Sequence, residues 1–183
     1  MTDSVQVFYE ATPNPQSMKF VIDRDISPET VQFSDPKEAQ RAPLAAKIFG
    51  FPWTSGVFLG SNFVTVTKQD WVDWETLAEP LSHLIAEHLD RQEPVIFPKD
   101  SLEETTDDDP TVRKIKEILN NEIRPAVAMD GGDIVFDRYE EGVVFVYMQG
   151  ACSGCPSSSL TLKSGIEARL KEAIPEIIEV VAL

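Results

Sequence analysis

The stretch "FPKDSLEETTDDDPT", residues 97–111, is acidic and short of large apolar side chains. Such a segment cannot bury enough surface to offset the entropy of ordering it. A chain interrupted this way cannot close around one continuous core. It reads as two small domains, residues 1–98 and 109–183, joined by a flexible, self-repelling linker at 99–108. With 42% apolar residues, 183 positions can supply two such cores. The net charge of −15 is spread over all three parts: residues 1–98 hold 7 basic and 14 acidic side chains, giving −7. Residues 99–110 contribute −5 and residues 111–183 contribute −3. No basic face emerges, so a phosphate backbone would be repelled and no nucleic-acid partner is expected.

Hydrophobic periodicity gives each half an α+β reading. In the first, Val5, Val7 and Tyr9 share one face of a strand, "TPNPQS" is a turn, and "MKFVI" is an antiparallel second strand. Residues 35–49 are helical, with Asp35 as a cap and Pro43 breaking or restarting the helix. "GVFLGSNFVTVTK" is a hairpin about "GSN", and residues 73–90 place Trp74, Leu77, Leu81, Leu84, Ile85 and Leu89 at helical spacing. The order is ββαββα. In the second half, Asp109 caps a helix with Pro110 at its first position, and Pro125 ends or bends it. "DGG" is a turn, residues 133–150 form a hairpin closed at "EEG", a helix with Ile166 and Leu170 facing inward follows, and "PEIIEVVAL" is a closing strand. The order is αββαβ.

The chain has two cysteines, Cys152 and Cys155, in "GACSGCPSSS" at the junction between that hairpin and the next helix. Backbone N–H groups at a helix start favour negative charge and lower a thiol pKa. Gly154 lets the loop fold back, Pro156 fixes the entry to the helix, and Ser157 or Ser158 is the expected cap. The run Gly142–Leu162 carries no charge, so carboxylates are kept away from the thiols in sequence. Three uses of the pair compete: a reduced pair or incidental metal clip, a thioredoxin-like dithiol, or half of a shared metal site. The dithiol reading has the right setting but lacks an aromatic residue before Cys152 and a Pro between the cysteines. A zinc ion or a cubane cluster wants four ligands. His83 and His88, the other soft ligands, are five residues apart on a helix of the other domain and are expected to be surface or packing residues. Shared ligation therefore requires a second copy of the chain about a two-fold axis.

"AMDGGDI" followed by "GACSGCPSSSLTLKSGIE" closely resembles the C-terminal domain of the Nfu/NifU-type iron–sulfur cluster proteins. "TPNPQSMKF", "APLAAKIFG" and "GVFLGSNFVTVTK" resemble the N-terminal domain of the same family. The resemblance spans nearly the whole chain. It implies a non-enzymatic carrier that holds one [4Fe–4S] cluster per homodimer through Cys152 and Cys155 of each chain. The cluster would come from upstream assembly machinery and pass to apo iron–sulfur proteins. A dithiol oxidoreductase and a zinc-stabilised interaction module are the alternatives.

Other conspicuous residues take plainer readings. Trp53, Trp71 and Trp74 are expected in the core or at a domain contact, the serines at 157–159 are caps, and Gly131 and Gly132 serve a tight turn. Two uncharged stretches approach the length of a membrane span, but both are broken by Gly, Pro or polar residues, so no membrane association is expected. The first ten residues carry no signal or transit pattern. The two closely spaced cysteines suit a reducing compartment. The expectation is a bacterial cytoplasm, or a mitochondrial matrix if a presequence has been removed.

Overall fold

A computed structural model describes residues 4–97, 109–153 and 156–183. They fall in two compact units that divide at Asp100/Ser101, each with its own core. Residues 99–108, expected as the linker, lie outside the described residues.

Unit 1 is a five-stranded antiparallel sheet with two helices. Its strands are β1 (Val7–Ala11), β2 (Ser17–Ile22), β3 (Val31–Phe33), β4 (Thr54–Leu59) and β5 (Phe63–Lys68), in spatial order β1-β2-β5-β4-β3. The β4–β5 hairpin turns at Gly60–Asn62, and period-2 alternation puts Val57, Leu59, Val64 and Val66 in the core. From α1 (Pro43–Phe49), Leu44, Ala45 and Ile48 join them, and from α2 (Trp74–Asp90), Leu81 and Ile85. The expected helix over 35–49 is split. Asp35 accepts from the amide of Lys37, a single 3₁₀ turn covers Glu38–Arg41, and Pro43 starts α1 at its first position. The short edge strand β3 has no counterpart in the ββαββα reading. At three residues it is too brief to display an alternation.

The tryptophans divide. Trp53 is buried and meets Trp74 edge-on at 6.2 Å between ring centres, while Phe51 stacks on Trp53 at 5.3 Å. Trp71, expected to be covered, is 66% exposed in the turn that precedes α2. The histidines take the packing and surface roles expected of them. His83 is exposed, and His88 is buried with Nε2 3.0 Å from the carbonyl of Pro94. Beyond α2, the residues from Pro94 to Phe97 lie back on the unit. Val95 is buried, and Phe97 and Arg41 exchange backbone and guanidinium bonds at 2.7 and 3.0 Å.

Unit 2 opens at Asp109, whose carboxylate accepts from the Thr111 amide at 2.8 Å and caps α3 (Pro110–Ile118). A π-turn follows at Leu119–Ile123, then α4 (Arg124–Met129). The regular helix ends at Ile118, and Pro125 follows the π-turn directly, in the first turn of α4. Strands β6 (Gly132–Glu140) and β7 (Val143–Gly150) form an antiparallel hairpin. Glu141 and Gly142 both have positive φ, 48° and 84°, as a two-residue hairpin turn requires. The helix α5 (Pro156–Ala173) carries the chain to β8 (Glu179–Ala182), which pairs parallel to β7. Ile115, Ile134, Val144, Val146, Ile166, Leu170 and Val180 fill the core between helices and sheet. No helix among the described residues is long and apolar enough to cross a membrane.

Candidate metal centre

Cys152 sits where β7 hands over to α5. Gly150, with φ 65°, turns the chain out of the strand, and the Ser153 amide bonds back to the Gly150 carbonyl at 3.1 Å. This buries Ala151 and leaves Cys152 only 6% exposed. Cys155 and Gly154, the other half of the expected pair, lie outside the described residues, as do the side chains of the expected serine caps.

The thiol of Cys152 lies against the start of β6. Gly132 pairs with Gly150 across the hairpin, and the Ala151 amide donates to the Gly131 carbonyl at 3.2 Å. A Cβ placed on Gly132 would fall 2.5 Å from Cys152 Sγ and 2.8 Å from the Gln149 carbonyl. Gly132 is therefore a contact surface for the cysteine, whereas Gly131, with φ 79°, makes the turn. The sequence reading gave both glycines to the turn. Only one left-handed residue is needed there, and the second glycine was the available signal.

One buried carboxylate lies on the strand that touches the cysteine loop, despite the uncharged run around the cysteines. Asp133 follows Gly132, pairs across the hairpin with Gln149, and has a side chain only 5% exposed. Distance along the sequence misses it, because strand pairing brings residue 133 beside residue 149. Its charge is matched by Arg124, whose Nε and Nη2 donate to Oδ1 and Oδ2 at 2.8 and 2.6 Å. The bidentate bond to Asp133 raises the Arg124 pKa above its usual value. Arg124 also donates to Asn120 Oδ1 at 3.1 Å, inside the π-turn.

Two α+β units in series, the second presenting a cysteine in a strand-to-helix loop, define a modular protein with a thiol site in one module. Residues 6–92 match the family model described as the scaffold protein Nfu/NifU N-terminal domain, and residues 115–181 match the NifU-like domain. The mitochondrial NFU1 iron-sulfur cluster scaffold homolog of Drosophila erecta is 42% identical over 171 residues, covering 91% of this chain and 60% of that protein. That of Drosophila persimilis is 40% identical, covering 91% and 61%. The chain thus spans about 60% of the length of these curated relatives. A NifU-like protein from Saccharomyces cerevisiae, solved by NMR, aligns with a TM-score of 0.48 and 20% identity, over 54% of this chain and 91% of that one. The chain belongs to the Nfu/NifU family, with both of its domains in order. The mitochondrial label of the relatives gives no support to the bacterial cytoplasm expected from the first ten residues.

Proposed function

We propose that the chain is an iron–sulfur cluster scaffold and carrier. In this reading residues 109–183 are the cluster-binding domain, residues 1–98 the companion domain and 99–108 the linker. Cys152 and Cys155 of two copies hold one [4Fe–4S] cluster between them and release it to apo-proteins. The observation that carries the reading is the placement of Cys152, set in a strand-to-helix loop of the NifU-like domain, in a chain with only two cysteines. Four thiolates complete a cubane's ligand set, so the deficit of two is met by a partner chain. A cluster held by loop thiolates at such a junction can leave by exchanging them one at a time, or when the subunits part. Carriage rather than turnover is the role, in a reducing compartment that keeps both thiols available.

Anaerobic reconstitution of the full chain with iron and sulfide tests this. The expected product is a dimer with about four iron per two chains, formed from a monomeric apo-protein, because cluster binding supplies the free energy of association. Light scattering and iron analysis read both quantities. A holo-monomer with a full cluster, or a dithiol that cycles with a disulfide and takes up no iron, would reverse the reading.

A further inference from the structure

We infer that Arg124 and Asp133 are positioning residues for Cys152: their ion pair staples the loop on which the cysteine rests. The inference rests on the reading of Cys152 as a ligand. Residues 124–133 run from the start of α4, through the Asp130–Gly131 turn, to the first residues of β6. Both ends of this run are tied together by the two guanidinium–carboxylate bonds. Between them the run presents two contacts to the cysteine loop: the Gly131 carbonyl that receives the Ala151 amide, and the bare Cα of Gly132 against which Sγ packs.

The staple has anchors on each side. Asp133 Oδ1 also accepts from the Ile134 amide at 2.8 Å, which fixes the carboxylate to its own strand. Arg124 reaches back to Asn120 within the π-turn, a widening of the helix that lets the backbone depart from the α path. The planar fork of Arg124 matches both carboxylate oxygens at once, a geometry that lysine cannot reproduce. The pair also keeps the local charge balanced. Removing the guanidinium alone would leave the Asp133 carboxylate buried without its partner, which is costly.

The full chain is compared with Arg124→Gln, Arg124→Lys and Asp133→Asn. In the apo-protein, alkylation of Cys152 by iodoacetamide is followed by mass mapping, together with the thermal midpoint. In the reconstituted protein, the half-life of the cluster under a chelator is measured. Loosening the staple should speed Cys152 alkylation about tenfold in Arg124→Gln and shorten the cluster half-life to a similar degree, because local opening no longer has to break the half-buried bidentate pair. Arg124→Lys, which keeps the charge but loses the fork, should fall between that variant and the wild type. A pair with only a bulk structural role would lower the midpoint and leave Cys152 alkylation in the folded protein unchanged. If Arg124→Gln fails to fold, Arg124→Lys and Asp133→Asn decide. Wild-type alkylation rates and half-lives in both would overturn the inference. Should the wild-type chain take up no cluster, the reading of the site fails, while the alkylation comparison still judges the staple.

Discussion

Replacing either Cys152 or Cys155 with serine exchanges a thiolate for a hydroxyl that stays protonated and binds iron poorly. Iron content after reconstitution should fall to background in both variants, with the circular dichroism of the apo-protein unchanged. Normal iron content in either single variant would remove that cysteine from the ligand set. Gly132→Ala tests the surface beneath the thiol. Its new methyl group would overlap Cys152 Sγ and the Gln149 carbonyl, so the cysteine loop or the β6–β7 ladder must move. A cost of about 1–3 kcal/mol is expected, the usual range for overpacking a filled site. Chemical denaturation followed by circular dichroism measures it, and an unchanged midpoint would show that the thiol can relocate freely.

At the scale of elements, the segment from Pro94 to Phe97 depends on a neutral histidine. Burial pushes the pKa of His88 below 6.5, helped by the Lys47 charge and opposed by the Pro94 carbonyl and by Glu93. A histidine with a lowered pKa in the folded state binds its proton more readily when unfolded. Its contribution is therefore complete above the unfolded value and is lost as pH falls from about 6.5 towards the folded value. Unit 1 should lose stability on acidification through that window, and His88→Gln should flatten the dependence. Urea midpoints between pH 7.5 and 5 for both proteins provide the check; parallel curves would show that other groups set the slope. Elements that carry their own patterns were legible in the sequence. The alternation of β4 and β5, the apolar stripe of α2 and the Asp109–Pro110 start of α3 each encode their element locally. Elements defined by their neighbours were not. Three residues of β3 are a strand because β4 offers an edge. The site divides in the same way. The position of Cys152 at a strand-to-helix junction could be read from spacing, whereas the contact of its thiol with Gly132 exists only through hairpin pairing.

For the whole molecule, the separate cores imply separate folding. Unit 2 buries Ile115, Val144, Val146, Ile166, Leu170 and Val180 among its own elements, and a side chain of its own caps its first helix. Residues 109–183 expressed alone should fold cooperatively and take up as much iron per chain as the full protein. Loss of iron uptake on removing residues 1–108 would show instead that unit 1 contributes to the site. The aromatic residues add a further consequence. All three tryptophans, including the Trp53–Trp74 pair, belong to unit 1, and the NifU-like unit has none. Near-ultraviolet-excited indole emission therefore reports on one module, while the visible absorption of a bound cluster would report on the other. If a cluster binds as proposed, quenching of the indole emission by energy transfer to it would give a readout of loading that needs no attached dye.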